Sequence, residues 1–396
     1  MSQTDFHYQK KELPASLSRL GIIIFVVGTV LSLLAFFVDQ ERAIFNYLVT
    51  YMMIVSIGLG SLFLIGLEYI AGADWSTPIR RIPEFFAMLL PVLFVLVIPI
   101  LVFNHDLFHW AHKEAVADDK ILQGKAPYLN VTFFIVRTFV FIGLWSLFYF
   151  VMTRNSRKQD ETKDQSLTKK NIRLGAIFIP VFALSITFTA VDLMMSLEPH
   201  WFSTIYGVYY FAGTVVASLA AITIAVILLK EKGYFGTWMT NDHLFSLGAL
   251  LFAFVNFWAY IAFSQFMLIW YADLPEETFW YLTRWNGGWV FISLLLIVVH
   301  FLVPYFALLT QPSKMNPKVL KFIAVWLLFA HLLDMFWLIM PNMNSMKSGY
   351  VFSWIDLVFP IAGTGLVILV FAFAAKKANL IPIGDPKLKR GIDFHL

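Results

Sequence analysis

Ten long apolar segments, separated by shorter polar ones, limit what this chain can fold into more than any other feature of its sequence. Each contains the roughly 20 apolar residues that a helix needs to cross the hydrocarbon layer of a membrane. Only 14% of the residues are charged and 59% are hydrophobic, whereas a soluble domain carries about 25% charged residues. We therefore predict an all-α polytopic membrane protein with about ten transmembrane helices, at about 17–38, 45–72, 82–103, 131–153, 173–197, 203–229, 243–271, 286–310, 318–340 and 351–375.

Lysine and arginine are distributed unequally between the two sides of such a protein. If the N-terminus is cytoplasmic, 22 of the 29 basic residues fall in cytoplasmic segments and 6 in outer segments, and Arg137 lies inside a helix. Basic residues collect in the cytoplasmic loops of membrane proteins. We therefore predict cytoplasmic tails at 1–16 and 376–396. The net charge of +4 reflects these loops, so we expect the lipid bilayer and no nucleic acid as a partner.

The absence of cysteine excludes several kinds of chemistry. Without Cys the chain forms no disulfide, no thiolate nucleophile, no cysteine-ligated iron–sulfur cluster and no c-type haem attachment. The sequence also contains no GxxxxGK[ST] and no GxGxxG motif, which argues against nucleotide-driven transport. We therefore expect this chain to carry no redox centre of its own.

Two connecting segments are long enough to have roles of their own. Segment 104–130 is predicted to be an outer loop and carries His105, His109 and His112 at i, i+4 and i+7. Histidines at this spacing can bind zinc or haem iron, but no HExxH-type motif accompanies them. A helix lying on the membrane or on a partner subunit is therefore the favoured interpretation. Segment 154–172 is charged and poor in apolar residues, which predicts a flexible cytoplasmic loop.

Ionisable residues inside the apolar segments are candidates for function, because charge is costly in lipid. By depth they fall into a group near the cytoplasmic side, a group toward the outer side and two histidines near the middle. Carboxylates and histidines are suited to a proton relay. We predict two half-paths for protons that approach the middle of the membrane from opposite sides, formed by Glu68, Glu84, Arg137, Asp192, His300, His331, Asp334 and Asp356. His331 and Asp334 are three residues apart and should share one helix face.

Each candidate also has a purely structural interpretation. Glu84 could pair with Arg80 or Arg81, and Arg137 could pair with one of the outer aspartates to hold two helices together. His300 stands alone on an apolar helix, where a hydrogen-bonded core histidine is at least as common as a functional one. Asp192, His331 and Asp334 are harder to explain structurally, and function is the favoured interpretation for them.

A repeated spacing indicates two related halves. Asp192 lies seven residues before Pro199, and Asp334 lies seven residues before Pro341. Each pair occurs at the end of an apolar segment. Because Asp and Pro both favour helix ends and turns, the coincidence is a hint of internal repetition only.

Three motifs resemble one family. WSTPIRRIPE (75–84), DLMMSLEPHWFSTIYGVYYFAG (192–213) and AFSQFMLIWYADLPEETFWYLTR (262–284) are similar to sequences of the NrfD/PsrC-like membrane subunits of bacterial alternative complex III, a quinol:cytochrome c oxidoreductase. The LPEET stretch resembles the smaller, ActF-type subunit of this complex. The resemblance covers essentially the whole chain.

This resemblance implies an architecture and a set of partners. It implies two four-helix bundles, helices two to five within 45–197 and helices six to nine within 203–340, flanked by helices one and ten. It implies a place in the bacterial inner membrane beside a multihaem cytochrome c subunit, an iron–sulfur subunit, a sister NrfD-like subunit and small membrane subunits. Haem c and iron–sulfur clusters would belong to the partners, and the complex would use quinol. In the family, quinol oxidation is associated with the sister subunit, and the ActF-type subunit is suspected of proton conduction or energy coupling.

Three other functions remain open at this point. The chain could hold a quinol itself, beside helices two to five, with Asp192 or a histidine accepting its proton. His300 and His331 could bind a b-type haem, although the glycine spacing usual in such proteins is missing. The chain could also be a stand-alone secondary transporter, which would be stable and active without partner subunits.

Overall fold

The computed structural model describes residues 13–236, 238–347 and 349–396, and confirms an all-α membrane architecture. Most of the predicted tail at 1–16 lies outside the described residues. Ten helices within these ranges are long and apolar enough to cross a membrane. They are α1 Ala15–Val38, α2 Gln40–Ala71, α3 Arg81–Val102, α4 Val131–Thr162, α5 Ser166–Leu197, α6 Tyr206–Glu231, α7 Asn241–Ala272, α8 Trp289–Ala307, α9 Pro317–Asn342 and α10 Ile355–Lys376. The even number of crossings places residues 13 and 396 on one side, which we call the terminal face.

The helices pack as two groups of four with a flanking pair. In the first group α2 contacts α3 and α5, and α4 closes the group by packing between α3 and α5. In the second group α6 contacts α7 and α9, and α8 packs between α7 and α9. Contacts of α2 with α6 and α9 join the groups, while α1 packs along α10 and α10 on α2. This is the predicted arrangement of helices two to five and six to nine.

Small residues allow the two groups to approach closely along α2 and α6. A Cβ atom on Gly60 of α2 would lie 2.5 Å from the Ser218 hydroxyl and 2.7 Å from the Thr214 carbonyl oxygen of α6. These distances are shorter than van der Waals contact, so only glycine fits. Ser56, one turn before Gly60, is fully buried at the same interface. Polar side chains therefore reach the centre of the molecule where the two groups meet.

The prediction of a flexible loop at 154–172 is wrong, because helices occupy nearly all of this segment. The first helix continues to Thr162 and the next begins at Ser166. The predicted helices end where the apolar residues end, but a helix that projects from the membrane into water can continue with polar residues. The Gln159 amide donates to the Thr168 hydroxyl across the two extensions at 2.7 Å and links them.

Segment 104–130 also differs from the prediction, because it does not form one helix. It consists of short helical pieces, Asn104–Leu107, His109–Ala111, Lys113–Asp118 and Lys120–Lys125. Phe108 adopts extended backbone angles between the first two pieces and is fully buried against Phe134. Burial of this side chain breaks the helical register on which the histidine spacing depended.

The three histidines of this segment therefore do not share a helix face. The rings of His105 and His112 lie 5.0 Å apart, but Nε2 of His112 is within 2.8 Å of the His105 backbone oxygen. That nitrogen is already used in a local hydrogen bond. The rings of His109 and His112 are 6.5 Å apart, so the i, i+4, i+7 arrangement on which metal binding would have depended is not formed.

Helix α8 changes its winding near its middle. Residues Ile297–Leu302 form a π-helix, and Pro304 follows two residues after its end. Proline has no N–H to donate to the carbonyl of His300, four residues before it. A π-turn pairs residues five apart instead of four, so it can satisfy that carbonyl. Single π-turns of this kind occur frequently at functional sites, and this one carries His300.

Candidate functional site

Asp192 and Arg137 form a buried ion pair near the face opposite the termini. Arg137 Nε donates to one carboxylate oxygen at 2.9 Å and Nη2 donates to the other at 3.0 Å. The third donor, Nη1, binds the Tyr128 carbonyl at 2.8 Å, and the Tyr128 ring lies 3.8 Å from the guanidinium. Such a two-point contact fixes α4 against α5. It corresponds to the structural interpretation of Arg137 given above.

Asp356 is paired in a similar way by a residue that the sequence placed in a loop. Arg42 lies near the start of α2 and donates to both oxygens of Asp356, at 2.9 and 2.6 Å. Asn46, one turn later, adds a third hydrogen bond at 3.0 Å. The pair joins α2 to α10. Sequence reasoning missed Arg42 because the predicted helix began at residue 45, five residues too late.

Glu68 belongs to an ion cluster at the terminal face. Arg80 lies between two carboxylates, with Nη1 3.1 Å from Glu68 and Nη2 2.5 Å from Asp385 in the C-terminal segment. Burial alone would lower the pKa of the Arg80 guanidinium, but Tyr69 and these carboxylates raise it well above its ordinary value. The cluster therefore ties the C-terminal segment to α2 through a permanently charged arginine.

Glu84 is held next to this cluster by Arg81, as its structural interpretation predicted. Arg81 Nη1 lies 2.5 Å from Glu84, and Nη2 lies 2.6 Å from Asp160 in the extension of α4. The Ser156 hydroxyl donates to the remaining Glu84 oxygen at 2.7 Å. Glu84 thus has a cationic partner at one oxygen and a hydroxyl donor at the other.

Asp334 has surroundings unlike those of the other candidates. The Asp334 side chain is fully buried. It accepts a hydrogen bond from the Tyr209 hydroxyl at 2.6 Å and another from the Trp258 indole at 3.0 Å. Within the part of the chain that the structure describes, no lysine or arginine forms an ion pair with Asp334. The equal Asp-to-Pro spacings therefore do not give Asp192 and Asp334 equal surroundings.

His331 lies beside Asp334 on the same face of α9, as the spacing predicted. Its Nε2 atom is 3.0 Å from the Ser56 hydroxyl of α2. Gly213 of α6 makes room for the ring, since a Cβ atom there would lie 2.7 Å from His331 Cε1. The histidine thus bridges the two helix groups and sits where α2, α6 and α9 meet.

His300 approaches the same point from α8. Its ring stacks on the Trp258 indole with 3.8 Å between the ring centroids, and lies 6.3 Å from the His331 ring. Neither nitrogen of His300 has a hydrogen-bond partner among the described residues, and the same is true of His331 Nδ1. Buried polar atoms normally find a partner, so three such nitrogens in one place require an explanation.

The three side chains form one group, which we call the central cluster: His300, His331 and Asp334. One ligand atom from each lies within 4.8 Å of the others. Two histidines and a carboxylate could hold a divalent ion by residue type, but both Asp334 oxygens accept hydrogen bonds from tryptophan and tyrosine. These donors orient the carboxylate without a metal. The geometry better suits a site for protons or for a water molecule.

The rings of His300 and His331 leave no slot for a haem. One face of His300 is covered by Trp258 at stacking distance, and Gly213 abuts His331. Both histidines are fully buried. A porphyrin plane between them would have to displace packed side chains from three helices, so the b-type haem interpretation does not fit this geometry.

Hydroxyl groups extend from the central cluster along α2 and α6. The Ser56 hydroxyl donates to the Tyr210 hydroxyl at 3.1 Å and accepts a hydrogen bond from the Thr214 hydroxyl at 3.3 Å. The hydroxyls of Ser61 and Thr223 are buried without a partner in the described part of the chain. Hydroxyls can donate and accept at once, so this row is suited to passing protons.

A cavity of about 180 Å³ lies on the terminal side of this row and is lined by Glu68 and Arg80. The predicted candidates therefore separate into two kinds. Three come together in the central cluster, and the others belong to arginine–carboxylate pairs at the two faces. Glu68 also borders this cavity, and Asp192 lines a much smaller one of about 10 Å³.

Comparison with known proteins adds no family. The chain matches no protein-family model and no curated protein.

Some residues around the central cluster were not predicted from the sequence. Tyr209, Trp258 and Ser56 are examples, and they lie on helices other than that of Asp334. Tyrosine and tryptophan are common in this chain, so no pattern could have selected these two.

Proposed function

We propose that this protein is a proton-handling membrane subunit of a respiratory quinol:cytochrome c oxidoreductase of the alternative complex III type. It would lie in the bacterial inner membrane with both termini in the cytoplasm. The observation that supports proton handling is the central cluster. Among the described residues, Asp334 is buried without a counter-ion, next to two histidines with three nitrogens that have no hydrogen-bond partner there.

The contrast with the other buried carboxylates gives this observation its weight. Asp192, Asp356, Glu68 and Glu84 each face an arginine. Protonation of Asp192 or Asp356 would leave a buried arginine without its carboxylate, which is strongly destabilising. Protonation of Glu68 or Glu84 would remove one of the two carboxylates that pair with Arg80 or Arg81. Asp334 has no such constraint, because its partners are neutral donors. Its proton can be exchanged without breaking an ion pair, and His331 is placed to share it.

A route to the terminal face follows from the same contacts. From His331 it runs through Ser56 and Thr214 toward the cavity beside Glu68. Water in that cavity would connect the row of hydroxyls to the solvent. This route corresponds to the inner of the two predicted half-paths. The outer half-path would have to begin elsewhere than at Asp192, which is held by Arg137.

The resemblance supplies the setting of the complex. Without cysteine the chain offers no thiolate ligand for an iron–sulfur cluster, so haem c and iron–sulfur centres would lie in the partner subunits. The expected partners are a multihaem cytochrome c subunit, an iron–sulfur subunit, a sister NrfD-like subunit and small membrane subunits. Quinol would be the electron donor of the complex.

The test is proton movement during turnover of the reconstituted complex. The intact complex is placed in liposomes that contain a pH-sensitive dye, and quinol and oxidised cytochrome c are added. Asp334→Asn should lower the number of protons moved per electron, because an amide cannot exchange a proton. Glu231→Gln is the matched control, since Glu231 is an exposed carboxylate paired with Lys321, and its ratio should stay unchanged. An unchanged ratio in Asp334→Asn would overturn the proposal.

A stand-alone secondary transporter is the second candidate, favoured by the π-turn in α8. Interrupted helices near the membrane midplane line the substrate sites of many transporters. Affinity purification of the tagged chain separates the two candidates. Recovery together with haem-containing and iron–sulfur subunits supports the respiratory complex. Recovery of an intact, colourless, active chain alone supports the transporter.

A further inference from the structure

We propose that a cleft between α9 and α10 binds an anionic phospholipid, with an acyl chain in the cleft and the phosphate headgroup at the terminal face. We call this feature the lipid cleft. None of the three residues of the central cluster lines it. The lipid site therefore goes beyond the proposed proton handling, and either one can be wrong without the other.

The lipid cleft is a cavity of about 410 Å³ with an almost wholly apolar lining. Only two of its fifteen lining residues, Thr50 and Thr364, have polar side chains. The Thr364 hydroxyl donates to the Pro360 carbonyl at 2.8 Å, whereas the Thr50 hydroxyl is buried without a partner among the described residues. One hydroxyl is too little to bind a hydrophilic ligand, so the lining suits a hydrocarbon chain.

The cleft is accessible from the surface that faces the lipid. Helices α9 and α10 both pack on α2 and line the cavity from its two sides. Phe329 of α9 is 54% exposed, and Thr364 of α10 is exposed as well. An acyl chain can therefore enter sideways from the bilayer, between the two helices.

The sides of α6 and α9 that face the cleft lead to lysines at the terminal face. Lys232 follows the lining residue Ala221 by eleven residues, and Lys318 precedes the lining residue Leu332 by fourteen. These spacings are about three and four helical turns, so each lysine lies on the cleft side of its helix. Lys318 is ten residues from Leu328, or about 15 Å along the axis, which is half the thickness of the roughly 30 Å hydrocarbon layer. A headgroup would lie there if its chain filled the cleft.

Charge at this end of the cleft favours an anionic headgroup. Lys321, a third lysine, is paired with Glu231 at 2.6 Å and links α9 to α6. Lys232 and Lys318 are exposed and form no ion pair with any described residue. Three lysines and one glutamate leave an excess of positive charge that a phosphate can neutralise. Basic pockets between transmembrane helices on the cytoplasmic side bind anionic headgroups in this way.

The test uses the detergent-purified full chain and a phosphatidylglycerol that carries a photoreactive diazirine at the end of one acyl chain. Labelling should fall on residues of α9 and α10 that line the cleft. Unlabelled phosphatidylglycerol should compete at concentrations at which phosphatidylcholine does not. Equal competition by the two lipids would overturn the proposal, because it would show ordinary contact with the bilayer. Labelling confined to other helices would overturn it as well.

Variants separate the headgroup from the chain. Lys232→Gln with Lys318→Gln should weaken phosphatidylglycerol binding about thirtyfold, or roughly 2 kcal/mol, since each lysine near the surface contributes about 1 kcal/mol. Lys169→Gln with Lys170→Gln is the matched control, because both lysines are exposed at the terminal end of α5, and its affinity should match that of the wild type. An equal loss in the two double variants would contradict a defined headgroup site.

Thr364→Phe tests the chain, because a ring at this exposed position would fill the cleft and should weaken binding about tenfold. Ala253→Phe is its control, since Ala253 is exposed on α7 and does not line the cleft. Unchanged binding in Thr364→Phe would overturn the assignment of the chain to the cleft.

A protein partner is the competing occupant, and crosslinking in the native membrane distinguishes it. Photoreactive benzoylphenylalanine in place of Phe329 should form adducts with lipid. Crosslinking of this position to another polypeptide would overturn the proposal in favour of a subunit interface. Because these measurements need no turnover, they succeed or fail independently of proton movement.

Discussion

The ion pair between Arg137 and Asp192 allows a quantitative prediction about stability. Its side chains are 7% and 3% exposed, so solvent screens the pair weakly. Asp192→Ala removes both carboxylate oxygens and leaves the guanidinium with the Tyr128 carbonyl and ring. Breaking a buried pair from one side costs about 3–5 kcal/mol. Because one carbonyl and one ring remain, we expect the lower end, about 3 kcal/mol, or roughly a hundredfold shift of the folding equilibrium.

A double-mutant cycle measures this interaction directly. The wild type, Asp192→Ala, Arg137→Leu and the double variant are unfolded by SDS titration from mixed micelles, followed by tryptophan fluorescence. Each single variant should be less stable than the wild type. The double variant should be more stable than Asp192→Ala, because the buried arginine without a partner has been removed.

The result that would refute this reasoning is additivity. If Asp192→Ala costs less than about 1 kcal/mol and the double variant equals the sum of the single ones, the pair does not hold the helices together. Asp192 would then return as a candidate for proton transfer. In that case Asp192→Asn should lower proton movement while leaving stability close to that of the wild type.

Two further predictions concern the cluster and the surface. Gly213→Ala places a methyl group against His331 and should destabilise the protein by about 1–3 kcal/mol in thermal unfolding. Gly143→Ala is the control and should not destabilise the protein, because its methyl group would lie 3.9 Å from the nearest atom, in the Phe94 ring. Equal effects of the two variants would contradict the packing. The hydrogen bond from His200 holds the pKa of Asp119 below its usual range, so this contact stabilises segment 104–130 above about pH 3.9 and is lost as the pH falls through the lowered value. Hydrogen exchange, corrected for intrinsic rates, should therefore accelerate in this segment only below about pH 4, and acceleration already near neutral pH would contradict the assignment.

The sequence was sufficient to predict the ten helices, because each is encoded by one continuous apolar segment. An apolar run of about 20 residues can be satisfied in lipid only by a helix, and all ten predicted segments are helical. Helix ends were less predictable, because a helix can continue beyond the membrane. The extensions to Thr162 and from Ser166, and the start at Gln40, all lie in polar sequence.

The candidate site was predictable only in part, because its members come from different helices. The shared face of His331 and Asp334 follows from their spacing on one helix. The contact of His300 with this pair depends on how α8 packs against α9, which no local pattern specifies. The same holds for Arg42, whose partner Asp356 is more than 300 positions away. Ion pairs of this kind decide which carboxylates are fixed, and they become visible only in three dimensions.

The central claim is that Asp334 exchanges a proton during turnover, and infrared difference spectroscopy tests it most directly. Spectra of the intact complex are recorded before and after addition of quinol, in H₂O and in D₂O. We predict a change in the stretching band of a protonated carboxyl group that shifts in D₂O, is absent in Asp334→Asn and persists in Glu231→Gln. Identical difference spectra for the wild type and Asp334→Asn would contradict the account.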